Sequence, residues 1–234
     1  MALHIQTFKT RTLTAIVFVI VMATGLFVNE WTFIALFTLI HFGCWYEFIK
    51  LMRLINGNKY LMYLPLGLFY ITMPVLMMLH LALHWQLYAA DNSYDLVLNQ
   101  LLPCGIIFSI WINDTMAYVV GSLIGKTPFS KISPKKTWEG TAGGALLCVV
   151  VIALLGYFIP VAHAITVWHW VAIAAICAVF GTAGDLLESK IKRMADVKDS
   201  GSFMPGHGGF LDRFDSLLIA TPFVWLFVQI FIHS

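Results

Sequence analysis

Seven apolar runs recur along the chain, separated by short polar stretches: roughly residues 12–28, 31–49, 60–83, 101–124, 142–162, 168–187 and 217–232. Each is near the ~20 residues that a helix needs to cross a bilayer core. The pattern predicts an all-α polytopic integral membrane protein with about seven transmembrane helices. The first and last runs are short and lean on flanking residues. Pro65 and Pro74 interrupt the third run. A kinked helix is expected there, because an internal proline removes a backbone donor and clashes with the preceding turn. The first run follows Lys9 and Arg11, as a signal peptide would. Ala23-Thr24-Gly25 is a poor cleavage site, however, and a second apolar run follows at once, so a retained span is expected.

Composition agrees with this reading. The chain is 60% hydrophobic and 11% charged, which places it among multispanning membrane proteins and leaves no room for a separate soluble domain. Loop charge sets the orientation. With seven spans, all fourteen Lys and Arg fall on one side, and the opposite loops carry Glu30, Asp91 and Asp95. The positive-inside rule then puts the basic side and the N-terminus in the cytoplasm and the C-terminus outside. The expected localisation is the cell (inner, cytoplasmic) membrane. Cys44, Cys104, Cys148 and Cys177 sit singly in apolar runs without metal-ligand spacing and read as packing residues. His80 and His84 share a helical face, yet no carboxylate stands near them in sequence, so an interfacial helix end is the better reading.

Charge is costly inside a membrane protein, so its concentration marks a site. Residues 189–215 hold five of the fourteen basic and four of the twelve acidic residues, with four glycines and His207. Just upstream, Asp185, Glu188, Ser189 and Lys192 are spaced to share one helical face. Asp212 and Asp215 are three apart and can point one way on a helix. Asp185, Asp212 and Asp215 gathered at one membrane surface would repel each other, and a hard cation such as Mg²⁺ would relieve that. Gly208 and Gly209 belong to a loop whose backbone can wrap a phosphate, with His207 as a ligand contact. Two further clusters face the same side. Asn113 and Asp114 lie inside the fourth run and read as one wall of a polar cavity, against the alternative of a helix–helix hydrogen bond. The string from Ser133 to Gly140 contains Lys135, Lys136 and Thr137, and its lysines and hydroxyls suit a polyphosphate better than they suit ordinary loop charge, with Glu139 counted among the substrate contacts. The stretch from Gly121 to Thr127 imitates a P-loop, but it has three residues between its glycines where four are required, and a membrane helix precedes it where a strand is required.

Read together, these residues resemble a known family. Ser189-x-Ile-Lys192-Arg193, then Lys198-Asp199-x-Gly201, then Pro205-x-His207-Gly208-Gly209-Phe210-x-Asp212-Arg213-x-Asp215 is similar to the signature of the phosphatidate cytidylyltransferases (CDP-diacylglycerol synthases). Asn113-Asp114, Ser133 to Gly140 and Gly184 to Ser189 resemble that family's other motifs. The resemblance runs from about residue 101 to the C-terminus. It implies the conversion of CTP and phosphatidate to CDP-diacylglycerol and pyrophosphate, in phospholipid biosynthesis. It also implies Mg²⁺ on Asp185, Asp212 and Asp215, a second cation such as K⁺, and a homodimer. On that basis Lys198 joins the three aspartates as a catalytic residue. Lys135, Lys136, Lys192, Arg193, Lys198 and Arg213 would hold phosphates, and phosphatidate would enter from the inner leaflet with its tails in membrane lipid. No nucleic-acid partner is expected. Residues 1–100 form an N-terminal scaffold of three spans, shorter than is usual for the family, and residues 101–234 form the catalytic region of four spans. The alternatives are a cytidylyltransferase for another lipid phosphate, such as an isoprenoid glycerol phosphate, and a non-catalytic homologue or transporter. The crowding of ionisable groups at one face speaks against a transporter, which holds them near the midplane.

Overall fold

The computed structural model describes residues 5–83, 99–204 and 208–232, giving the backbone alone for 5–11. Among these residues, five helical stretches are long and apolar enough to cross a membrane: Glu30–Leu83, Leu101–Ile124, Trp138–Phe158, Val167–Met194 and Leu211–Phe231. Thr12–Phe27 is a shorter apolar helix. The protein is therefore an all-helical polytopic membrane protein. Its surface follows from that solvent. Leu13, Ile16 and Ile20 near the N-terminus and Leu146, Val150 and Leu154 further on are exposed, as suits side chains facing hydrocarbon.

Helix α1 spans Ile5–Phe27 and α2 spans Glu30–Asn56. Asn29 starts α2 with a reciprocal cap: its Oδ1 accepts from Thr32 N at 2.8 Å, and Asn29 N donates to Thr32 Oγ1 at 3.2 Å. Helix α2 ends at Gly57, whose φ of +53° suits glycine. The chain folds back there through a 3₁₀ segment, Gly57–Tyr63, a short helix α3, Leu64–Gly67, and a π turn, Leu68–Thr72, into α4, Met73–Leu83. The kink expected in the third run thus takes the form of a wide turn. Met73 N bonds to Leu68 O, five residues back, just ahead of Pro74, and the loosened turn makes room for a ring that cannot donate. Residues 84–98, including His84, lie outside the described residues. His80 accepts a hydrogen bond from Trp225 Nε1 at 3.2 Å.

Four long helices complete the bundle: α5, Leu101–Ile124; α6, Trp138–Phe158; α7, Val167–Met194; and α8, Leu211–Phe231. Helix α7 packs on α5, α6 and α8, and α8 also rests on α4. Phe180 and Phe223 stack between α7 and α8 with ring centroids 3.5 Å apart. All four cysteines are free and buried. Helices α6, α7 and α8 extend beyond the apolar runs toward the motifs. Trp138 and Glu139 therefore open α6, Glu188 to Arg193 close α7, and Asp212 and Asp215 stand in the first turns of α8. Polar residues that look like loop from hydropathy are helical because caps and neighbouring helices carry them.

Candidate active site

The C-terminal parts of α5 and α7 and the N-terminal ends of α6 and α8 meet around a polar cavity of about 470 Å³. Helix α5 contributes Asn113, Asp114, Tyr118 and Gly121. The connection to α6 contributes Ser133, Lys135, Lys136 and Thr137, and α6 itself Thr141. Helix α7 contributes Thr182 and Asp185, and α8 contributes Asp212, Asp215 and Ser216. Asn113 and Asp114 thus form a wall of the cavity. Asn113 is 2% exposed, and its Oδ1 has no hydrogen-bond partner among the described residues. A second cavity, of about 190 Å³, is lined by Cys104, Phe108, Ile152 and Trp170. It is apolar and offers no charged group.

Local bonding explains how the lysine-bearing connection is held. Thr137 caps α6 by accepting from Gly140 N at 3.1 Å. Glu139 braces the turn that leaves α5: it accepts from Thr127 Oγ1 at 2.8 Å and from the amides of Lys126 and Thr127 at 3.2 Å. Phe129 N donates to Lys136 O at 2.7 Å and Trp138 N to Thr127 O at 3.0 Å. Glu139 is outside the cavity lining and serves the shape of the loop. Lys136 reaches across to α7 and ion-pairs with Asp185. Burial lowers the Lys136 pKa, while Asp114 and Asp215 pull it upward.

The carboxylates separate into two groups. Asp185, Glu188 and Asp215 each place an oxygen within 4.8 Å of the others. Gly184 allows this, since a Cβ there would meet Asp215 O at 2.5 Å, so α7 and α8 touch through backbone at the height of the acids. Glu188 pairs with Lys192, yet its Oε1 is buried without a hydrogen-bond partner. Asp212 points elsewhere. Its Oδ1 pairs with Lys192 Nζ at 2.5 Å. Its Oδ2 accepts from Ser200 N at 2.9 Å, Ser200 Oγ at 2.8 Å and Gly209 N at 2.8 Å. Gly208 adopts a φ of +85°, and a Cβ on it would lie 2.6 Å from Asp212 Oδ2, so glycine alone suits that position.

The other expected phosphate holders stand apart from the cavity lining. Lys192 bridges Glu188 and Asp212. Arg193 spends Nη1 on Val197 O at 3.0 Å. Lys198 and Arg213 are exposed, Ser189 is half-buried, and His207 lies outside the described residues. Of the residues that the sequence reading did not single out, Thr141, Thr182 and Ser216 line the cavity, and Ser200 and Glu47 stand beside it. Ser200 is the unassigned position in Lys198-Asp199-x-Gly201. Glu47, from α2, is 2% exposed and bonds to Ser200 and to the start of α8. A carboxylate within an apolar run was the available signal for Glu47.

Comparison with known proteins places the chain in a family. The cytidylyltransferase family profile matches residues 76–231. The phosphatidate cytidylyltransferase of Bacillus subtilis is 43% identical over 125 residues, covering 52% of this chain and 45% of that protein. The phosphatidate cytidylyltransferase of Staphylococcus saprophyticus is 46% identical over 114 residues, covering 48% of this chain and 43% of that protein. The matched stretch thus spans less than half the length of these relatives.

Proposed function

Since the chain belongs to the cytidylyltransferase family, we propose that it transfers the cytidylyl group of CTP to phosphatidate, giving CDP-diacylglycerol and pyrophosphate. The observation that carries this reading is one polar cavity at the ends of membrane helices, holding two lysines beside carboxylates of α7 and α8. A phosphate oxygen of phosphatidate would attack the α-phosphorus of CTP. The bond from that phosphorus to the bridging oxygen breaks, and pyrophosphate leaves with the electron pair. The attacking oxygen is already anionic near neutrality, so no strong general base is needed. The task for the protein is to bring two polyanions together.

Lys135 and Lys136 serve that task by supplying positive charge at the cavity wall, with Ser133 and Thr137 as hydroxyl donors. The Lys136–Asp185 pair holds the ammonium over the acidic end of α7. The donors also fit a hard divalent cation such as Mg²⁺. Asp185, Glu188 and Asp215 offer converging carboxylate oxygens, and one of the Glu188 oxygens is unspent. Bound there, such a cation would offset triphosphate charge and stabilise the leaving pyrophosphate. Asp212 shares the cavity and holds Lys192 beside Glu188. The positive-inside asymmetry supports placing this end of the bundle at the cytoplasmic face of the cell membrane.

The test is pyrophosphate release by the purified full chain in lipid nanodiscs with Mg²⁺. Release should require both CTP and phosphatidate. Equal release without the lipid, or none with both substrates, would overturn the reading.

A further inference from the structure

Glu47 is a carboxylate inside an apolar helix, and no Lys or Arg pairs with it among the described residues. Its partners belong to a segment more than 150 residues away. Oε1 accepts from Phe210 N at 3.0 Å, and Oε2 accepts from Leu211 N at 2.9 Å and from Ser200 Oγ at 2.7 Å. Phe210 and Leu211 are the cap and first residue of α8, and Phe210 provides no side-chain cap. The amides at a helix start lack intrahelical acceptors and carry positive dipole charge. Glu47 therefore caps α8 from another helix. The loop closes around it as well: a Cβ on Gly201 or Gly209 would overlap the Glu47 carboxylate.

From Glu47 the bonding continues inward. The Ser200 hydroxyl lies within hydrogen-bond distance of both Glu47 Oε2 and Asp212 Oδ2, so its one proton is shared between two carboxylates. Asp212 holds Lys192, and Lys192 pairs with Glu188, a member of the converging acidic trio. We propose that Glu47 is the positioning residue of this site. By fixing the start of α8 and, through Ser200, the orientation of Asp212, it sets where Lys192 sits. That determines how the Asp185, Glu188 and Asp215 carboxylates face one another. The N-terminal scaffold thereby supplies one side chain on which the geometry of the cation-holding trio depends. Glu47 itself does not line the cavity. Its effect on turnover rests on the cytidylyltransferase reading, whereas its effect on cation affinity does not.

The experiment uses the full chain in nanodiscs and Mn²⁺ as a spin probe for the cation. Glu47→Gln keeps the shape but turns an N–H₂ toward backbone donors. The variant should elute as the wild type does, exchange its Phe210 and Leu211 amides faster, and bind Mn²⁺ about ten- to a hundredfold more weakly, the range for outer-shell partners of metal ligands. Its half-saturating Mg²⁺ for pyrophosphate release should rise in parallel. A merely structural role would lower the active fraction and leave that concentration unchanged. If Glu47→Gln does not fold, Ser200→Ala is decisive. It keeps both backbone bonds of Glu47 and cuts the link to Asp212, and Mn²⁺ affinity should fall about tenfold. Wild-type Mn²⁺ affinity in a folded Glu47→Gln, or in Ser200→Ala where Glu47→Gln does not fold, overturns the proposal, as does a wild-type chain that binds no Mn²⁺. A wild-type chain that binds Mn²⁺ but releases no pyrophosphate overturns the cytidylyltransferase reading and leaves the affinity comparison intact.

Discussion

Two groups of acidic residues lie within a few turns of each other and are treated in opposite ways. Around Glu47 and Asp212 the carboxylate oxygens are met by backbone amides, the Ser200 hydroxyl or Lys192. Around Asp185, Glu188 and Asp215 the carboxylates crowd one another, and although Lys136 and Lys192 pair with two of them, a buried oxygen of Glu188 is left unmatched. A satisfied buried charge holds a fold together, and an unsatisfied one stores a cost that a ligand can repay. The first group thus reads as the clamp and the second as the site it serves.

The contrast is broken most sharply at Asp215. Asp215→Asn should cut pyrophosphate release about a hundred- to a thousandfold, as removal of one strong electrostatic contributor does. The same change relieves repulsion within the trio, so the melting temperature of the metal-free variant should rise above that of the wild type. Thermal melting with and without Mg²⁺ checks this. Asp212→Asn should act in the other direction. Lys192 keeps Glu188 as a partner, so loss of the Asp212 charge should cost about 1.5–3 kcal/mol of stability, the range for hydrogen bonds to a charged group, and a denaturation series would read it. If Asp212→Asn instead melted like Asp215→Asn, the division into clamp and site would fail.

Smaller effects sharpen the same line. Mg²⁺ at about a hundred times its dissociation constant should stabilise the wild type by about 2.7 kcal/mol, through binding to the folded state alone. The shift should vanish in Asp215→Asn and return to its metal-free value on chelation. Asn29→Ala removes a helix cap far from either group. It should cost about 1 kcal/mol and leave pyrophosphate release per folded molecule unchanged. A large loss of activity there would show that general loosening, and not the trio, governs turnover.

Much of the architecture was open to direct reading. The apolar runs match helices in the structure because hydropathy over twenty residues is a local property, and the π turn before Pro74 has its cause in the ring itself. The cavity wall at Asn113 and Asp114 and the lysines at 135 and 136 were also legible, since charged or polar groups near a membrane stand out by their cost. Other residues were expected to meet the substrate and are engaged within the protein. Glu139 braces the turn at Thr127, and Lys192 is spent between two carboxylates. Residue type shows that a group can bind phosphate, but the bond it already makes depends on neighbours distant in the chain.

By itself the sequence determined an all-helical membrane bundle and the segments in which its charged residues gather, because periodicity, hydropathy and capping act within a few residues. Only the tertiary structure decided which carboxylates meet. Asp185 joins Asp215 and Glu188 because the backbones of α7 and α8 touch at Gly184, which fixes the rotation of one helix against the other. Glu47 reaches the start of α8 because α2 is packed beside it. Helix rotation and long-range contact follow from the packing of whole faces, and no spacing along a single chain segment contains them.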